Sequence, residues 1–358
     1  MSSYSAAQVI SPAIQRTRWY LFQPFRLGRF LKLALVAAIT EGGGISGCNF
    51  GSRVPSSNGG GNASPPFHWP TLHWPAMHWP ALPVILGVIA LVCAIVIPLW
   101  LLLSYLFIRL RFSYFDCVLR GQDQIAPAWR RYHRQALRYL GMSLCIGLAF
   151  WIVLIPIGYA LYRQYAPLFQ SLFSGGKPDF AQFVPLILIV IAGVLGLGLA
   201  GYLLQTTLSC FVLPRMALQD ASIRESLEDV WADIQLEPGQ FCLFYLLRAL
   251  LWIAASFASA IVLIVPFILL GIIGAILIVA MKAVSTAAAL AVGIPLGILF
   301  VCAFVAASIG VSGTIGTFNR NYALFFYAGR FPGMAAILWP PQPPPPPPYW
   351  AQAAPPAV

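Results

Sequence analysis

Three of the four histidines recur at a period of five in the segment PPFHWPTLHWPAMHWPALP, where His68, His73 and His78 are each followed by Trp and Pro. Imidazole is the commonest side-chain ligand for zinc, copper or nickel, so the repeat is a weak candidate metal site. Prolines favour an extended chain that holds the histidines apart. We therefore interpret the segment as a low-complexity loop at the membrane interface, and the sequence predicts no metal or other cofactor.

Glu41 is the one acidic residue within or beside a predicted membrane span. A carboxylate in a membrane is a candidate functional group by default, because burying its charge in lipid is costly. Three glycines follow it, so the span is expected to end there and Glu41 to lie at the interface. The nearby ISGC, ending in Cys48, also matches a bacterial lipobox. Its late position and the preceding Glu argue against lipidation, which the sequence leaves open.

A basic segment at 108–139 could bind phosphate groups. Pro127 suits the first turn of a helix, and a helix near 127–138 would carry a basic face, which is a candidate surface for anionic lipid or for phosphate. The alternative is a loop that only fixes topology. The arginines of this face are Arg130, Arg131, Arg134 and Arg138.

An acidic segment follows at 220–237. Ser222 with Glu225 three residues later predicts a capping box and an amphipathic helix near 222–235. An anionic lipid surface would repel this helix, so we expect it to pack on the basic helix near 127–138; the alternative is a solvated acidic face. The acidic residues of the helix are Glu225, Glu228, Asp229 and Asp233.

The chain lacks the residue patterns of common enzymes. It has no HExxH, GxSxG or Walker A sequence, and six of its ten acidic residues lie between 220 and 237. A hydrolase or a proton-coupled carrier would need acids or bases inside the spans. The sequence therefore predicts a protein that is not an enzyme.

Long uncharged stretches identify the elements that hold these residues. Residues 139–162, 180–214, 249–281 and 283–319 carry no charged side chain, and the mean hydropathy of the chain is +0.80. About 20 apolar residues cross the hydrocarbon core as a helix. The sequence predicts an all-α, polytopic transmembrane helical bundle of about six spans with two amphipathic cytoplasmic helices.

The predicted organisation has three parts. Residues 1–30 form a cytoplasmic or interfacial N-terminus, residues 31–317 form the transmembrane domain, and residues 318–358 form a Pro-rich tail that is expected to be disordered. A hairpin near Pro266 is the alternative, and it would give seven spans. The six predicted spans lie near 31–50, 83–107, 140–161, 184–213, 245–281 and 284–312.

The distribution of Lys and Arg predicts the orientation. With six spans and both termini in the cytoplasm, 17 of the 21 Lys and Arg residues lie inside and four lie outside. This asymmetry is typical of cytoplasmic loops. The net charge of +11 therefore points to anionic lipid at the cytoplasmic face, and nucleic acid is not a predicted partner.

Three segments carry a resemblance to known proteins: RTRWYLFQPFRLGRFLKLALVAAITEGGG, FDCVLRGQDQIAPAWRRY and FVLPRMALQDASIRESLEDVW. They resemble uncharacterised bacterial families of polytopic membrane proteins, which are similar to the membrane domain of some glycerophosphodiester phosphodiesterases. The chain has no soluble phosphodiesterase domain, so that activity is not implied. The resemblance implies a multi-pass protein of the bacterial inner membrane.

The sequence thus favours a non-catalytic scaffold, or an accessory component of a transport or envelope system, in contact with the lipid bilayer. The alternative is a transporter of small solutes or lipids with a path between spans 4 and 6. A protein partner, a homo-oligomer and the ligand of a transporter all stay open.

Overall fold

The computed structural model describes residues 5–23, 25–41, 82–173 and 183–339. These residues form helices and short connections, with no β-strand among them, so the all-α prediction is confirmed. The helices are α1 (Ile10–Phe22), α2 (Leu27–Glu41), α3 (Leu82–Arg120), α4 (Ile125–Arg131), α5 (His133–Phe173), α6 (Phe183–Thr207), α7 (Leu213–Gln219), α8 (Ile223–Leu236), α9 (Pro238–Val284), α10 (Thr286–Ala328) and α11 (Pro332–Leu338).

Five helices in the described part of the chain are long and apolar enough to cross a membrane. They are α3, α5, α9, α10 and the continuous run from α6 through a π-helical turn (Leu208–Val212) to α7, and they contain the predicted spans 2 to 6. The predicted first span coincides with α2, which has 15 residues and is about 22 Å long, shorter than the roughly 30 Å hydrocarbon core. Residues 42–50 of that prediction lie outside the described residues.

α9 passes through Pro266 without interruption. Its 47 residues extend over about 70 Å, so the hairpin near Pro266 and the seven-span alternative are wrong. The turn to α10 comes instead at Ser285, whose backbone is extended and whose hydroxyl accepts a hydrogen bond from the N–H of Ala288 at 3.0 Å. Ser285 therefore caps the new helix.

The buried core is formed mainly by short helices and by the ends of the long helices. α1, α8 and α11 pack there with the end of α3, the start of α5, the π-helical turn, the start of α9 and the end of α10. The apolar stretches of the five long helices are exposed along most of their length, as expected of surfaces that contact lipid. The largest wholly buried apolar side chains are Tyr20, Phe112, Tyr114, Phe115, Tyr132, Phe211, Phe241, Phe244, Tyr322, Phe326 and Tyr327.

The C-terminal end of α3 shows how the sequence caps one helix inside this core. Gly121 adopts a left-handed conformation with φ of 67°, which glycine tolerates without a Cβ clash. The N–H of Gln122 then reaches back to the carbonyl of Cys117 at 2.9 Å, as in a Schellman motif. Arg16 donates to the carbonyls of Val118 and Leu119, so α1 supplies the remaining hydrogen bonds that the helix end needs.

The tail begins later than the sequence suggested. Residues 318–339, predicted as the start of a disordered tail, form the end of α10 and the whole of α11. The prediction was wrong here because Phe331, Met334 and Leu338 are buried, and this apolar area holds the segment in the core. Residues 340–358, which contain the proline run, lie outside the described residues.

Candidate functional site: a buried glutamate–arginine cluster

Glu41, at the last residue of α2, lies between two buried arginines. Its Oε1 is 3.5 Å from Nη1 of Arg320 on α10 and 3.8 Å from Nε of Arg111 on α3. The three side chains expose 2%, 1% and 8% of their surface, respectively. We call Glu41, Arg111 and Arg320 the Glu41 cluster. Its ion pairs connect α2, α3 and α10, which are far apart in the sequence.

Glycines on α10 bring the glutamate to this position. A Cβ at Gly313 would lie 2.3 Å from the carbonyl oxygen of Ala34, and a Cβ at Gly316 would lie 3.1 Å from Cβ of Glu41. Contacts this close require hydrogen in place of a side chain. The backbones of α2 and α10 therefore touch directly, which places Glu41 one turn from Arg320.

The π-helical turn contributes a further polar group. Inside it the backbone ladder widens, and the N–H of Leu213 bonds the carbonyl of Leu208. The carbonyl of Ser209, within the same turn, accepts Nη1 of Arg320 at 2.9 Å. Single π-helical turns inside α-helices are often found at functional sites. Here the turn fixes one edge of the Arg320 guanidinium.

Other side chains surround the cluster. The hydroxyls of Tyr114 and Thr317 lie 2.8 Å apart, and the ring of Phe115 lies 5.0 Å below the Arg320 guanidinium. Arg248 on α9 donates to Sγ of Cys210 at 2.7 Å and is close enough to interact electrostatically with Glu41 and Arg320. The Glu41 carboxylate thus pairs with two guanidinium groups, and Arg248 adds a third positive charge to the surroundings.

This charge balance limits the possible chemistry. Arginine stays protonated in proteins, so none of the three can act as a base, and a proton relay would need further acids. Within the part of the chain that the structure describes, no group of three His, Cys, Asp or Glu is placed to hold a metal ion. An excess of buried positive charge suits the binding of an anion.

The sequence-predicted candidates lie in different places. Glu41 is buried against arginines inside the protein, and its place at the membrane interface stays a prediction. The histidine repeat at His68, His73 and His78 and the lipobox cysteine Cys48 lie outside the described residues. Arg130, Arg131, Arg134 and Arg138 belong to α4 and the start of α5, away from the Glu41 cluster; the first three are exposed and the fourth is partly buried.

The predicted basic helix differs from the observed one. α4 begins at Ile125, before Pro127, and ends at Arg131, because Tyr132 leaves helical geometry and is buried against Phe112. A new helix, α5, starts at His133. The basic residues are therefore divided between two helices, and their role as a surface for anionic lipid stays a prediction.

The acidic helix is confirmed, but Asp229 and Asp233 pair with a different arginine from those predicted. The capping box is present: Ser222 accepts from the N–H of Glu225, and the N–H of Ser222 donates to Glu225, which lowers the pKa of that carboxyl. Asp229 and Asp233 pair with Arg215 of α7 instead of the basic segment, with 2.6 Å from Arg215 to Asp233.

Contact with the basic segment runs through Asp220, which precedes α8. Its Oδ1 accepts from Gln135 at 3.1 Å and from Arg138 at 3.4 Å. Asp220 has a left-handed backbone, with φ of 51°. The two segments are thus neighbours, as expected: they meet at this turn, and α8 also contacts α5.

Sequence reasoning missed the arginines of the site. Arg111 was noted only as part of the basic segment 108–139, and Arg248 and Arg320 only as positive charges that predict topology. Arg248 and Arg320 stand within or next to long apolar tracts, which was the available signal, since a charge in such a tract is a functional candidate. Arg248 and Arg320 are more than 200 residues from Glu41 in the sequence, so only the tertiary fold brings these side chains together.

The fold and composition define a polytopic α-helical membrane protein. Residues 4–337 match a family described as a family of unknown function (DUF7544), and the chain belongs to this family. No curated protein and no solved structure shows significant similarity to the chain. Nothing in these comparisons connects the chain with glycerophosphodiester phosphodiesterases, so that part of the resemblance is not supported.

Proposed function

We propose that this protein is a non-catalytic component of the bacterial inner membrane, a scaffold or accessory subunit, anchored by its spans and organised by the buried core at their ends. The observation that carries the proposal is the distribution of packing. Buried side chains concentrate in the core, while the apolar stretches of the long helices stay exposed. Such exposed helices can contact lipid and can also pack against the helices of another membrane protein.

α6 is the span best suited to a partner. Ala192, Gly196 and Ala200 recur at four-residue spacing and are all exposed. A Cβ at Gly196 would meet nothing within 4 Å, so no neighbouring helix among the described residues covers the stripe there. Small residues at this spacing allow another helix to approach closely. The same openness weighs against a transport path between α6 and α10, which is the alternative.

Photo-crosslinking in native membranes separates these possibilities. A photoreactive residue at Leu199, beside the small-residue stripe, is expected to crosslink one discrete protein, while one at Val194, on the opposite face, is expected to label lipid. Lipid labelling at both positions would refute a partner at α6. A crosslink from Leu199 to α10 of the same chain would support the transport alternative instead.

We further propose that the core lies at the cytoplasmic face, next to anionic lipid, with both termini on that side. The segments rich in Lys and Arg contribute to this core. In α1, Arg16 donates a hydrogen bond to a carbonyl at the end of α3. At the start of α2, Arg29 forms an ion pair with Asp123, just after α3, at 2.5 Å. The start of α2 is thus on the same side as the end of α3. Since α3 is a span, its start lies on the opposite side, and this arrangement supports a sixth crossing that begins with α2.

A reporter at the N-terminus tests this orientation, because the five- and six-span arrangements differ there. In the six-span arrangement the fusion is expected to report a cytoplasmic position, as is a fusion at Pro340. An external N-terminus with a cytoplasmic fusion at Pro340 would show that α2 and the residues after it do not cross. A fusion at Asn58, expected outside, serves as the control for export.

A further inference from the structure

The Glu41 cluster contains buried hydrogen-bond donors that the described protein does not satisfy. Nε and Nη2 of Arg320 and Nε of Arg111 are fully enclosed and have no hydrogen-bond partner, although Arg320 is only 1% exposed. Leaving a buried charged donor without an acceptor is costly, because the group loses its hydration and gains no hydrogen bond in return. A site that keeps three such donors is built to receive an acceptor.

The arrangement of the Arg320 donors specifies that acceptor. Nε and Nη2 share one edge of the planar guanidinium, whereas Nη1, at the other end, bonds Ser209 and faces Glu41. Two adjacent donors in a plane match two oxygens of one carboxylate or phosphate group. The free edge of Arg320 therefore suits a two-oxygen acceptor better than a single halide ion.

The charges favour an anion at the same place. Glu41 compensates one of the two arginines of the cluster, and Arg248 adds a third positive charge in electrostatic range. Glu41 is an incomplete partner, since its Oε1 makes no hydrogen bond. Buried charges that stay unpaired are strongly destabilising, so a bound anion would stabilise the folded protein.

We propose that the Glu41 cluster binds an oxyanion on the Nε–Nη2 edge of Arg320, with Nε of Arg111 as an additional donor. The ligand is a phosphate group, either free inorganic phosphate or the phosphate of an anionic phospholipid. The Phe115 ring below the guanidinium and the Ser209 carbonyl hold Arg320 in position before the ligand arrives. This site extends beyond the proposed scaffold role and does not depend on it.

Thermal unfolding of the full-length protein in mild detergent tests the site. Inorganic phosphate is expected to raise the unfolding midpoint in a concentration-dependent manner, because a ligand that binds only the folded state stabilises it. Sodium chloride at the same ionic strength is the comparison. Arg320→Lys, which keeps the charge and loses the two-donor edge, is expected to abolish the phosphate effect. An equal shift with chloride would overturn the proposal.

Arg330→Lys provides a matched control. Arg330 is also buried, with 6% of its side chain exposed, but its donors are satisfied by Glu237 and the carbonyl of Phe326. Its replacement should lower the midpoint and leave the phosphate-dependent shift intact. Loss of that shift in both variants would mean that the phosphate effect is not specific to the cluster.

Glu41→Gln keeps the test decisive if Arg320→Lys does not fold. Removing the nearby negative charge is expected to tighten the apparent affinity for phosphate by on the order of tenfold. Unchanged or weaker binding would overturn the proposal.

Native mass spectrometry with added phosphatidylglycerol identifies the source of the phosphate group. A lipid adduct that Arg320→Lys removes indicates the lipid phosphate, and a response to inorganic phosphate alone indicates the free anion. Binding of neither also overturns the proposal.

Discussion

Replacing Gly313 with alanine is expected to separate α2 from α10 and to prevent stable folding. The new Cβ would lie 2.3 Å from the carbonyl oxygen of Ala34 and 2.4 Å from its Cα. These are backbone atoms, so no side-chain rotation relieves the clash and the two helices must move apart. Overpacking usually costs about 1–3 kcal/mol, and we expect a value at or above the top of that range.

Gly297→Ala is the matched control on the same helix. A Cβ there would meet nothing within 4 Å, and alanine has a higher helix propensity than glycine, so this variant should be as stable as the wild type or slightly more stable. The unfolding midpoint and the yield of monodisperse protein in detergent measure both changes. Equal behaviour of the two variants would show that α2 does not rest against Gly313.

Replacing Arg215 with methionine is expected to destabilise the core by about 3 kcal/mol. Arg215 joins α7 to α8 and α10, because it donates to Asp229, to Asp233 at 2.6 Å and to the hydroxyl of Tyr327 at 2.5 Å. Methionine fills a similar volume but removes the positive charge that pairs with Asp233, which then keeps only the longer hydrogen bond from the Tyr327 hydroxyl at 3.3 Å. Asp229 is half-exposed and contributes less, because water screens its charge.

Arg224→Met tests the same chemistry on the surface of α8. The Arg224 and Glu228 side chains are 89% and 62% exposed, so loss of their pairing should cost no more than about 0.5 kcal/mol. The double variant Arg215→Met with Asp233→Leu also removes the carboxylate that had lost its charge partner. Its stability should therefore recover in part. If the double variant is less stable than Arg215→Met alone, the pair does not carry the energy assigned to it.

The anion proposal and these two predictions concern one structural unit. Gly313 sets the distance between α2 and α10, and that distance determines whether Glu41 reaches Arg320. Loss of phosphate binding is therefore expected in Gly313→Ala protein that can still be purified. Arg215 lies at another part of the core, so a folded Arg215→Met protein should keep its phosphate response.

The regular elements could be predicted from local sequence. Uncharged tracts of more than 20 residues predict α5, the run from α6 to α7, and α10, because a chain in lipid must satisfy its backbone hydrogen bonds within one segment. The capping box at Ser222 and Glu225 is equally local, since its two hydrogen bonds connect residues three positions apart. Both features follow from spacing alone.

Close helix approach could not be located from spacing. Gly293 and Gly297 have the four-residue spacing that is typical of close helix contacts. In the structure a Cβ at Gly297 would meet nothing within 4 Å, and a Cβ at Gly293 would make an ordinary contact of 3.6 Å with Ile278. Gly313 and Gly316, beyond the predicted span, are packed against α2. Small-residue patterns occur at all of these positions, and only the packing of a partner helix distinguishes them.

The composition and local patterns by themselves determined a helical membrane protein, the places of its long helices and the cap of α8. The tertiary structure decided which charges meet. Glu41 faces Arg111 and Arg320, and Asp233 faces Arg215, across helices distant in sequence. Ion pairs between helices leave no periodic pattern in the sequence. Their partners depend on which helix ends pack together in the core and on how closely the backbones approach.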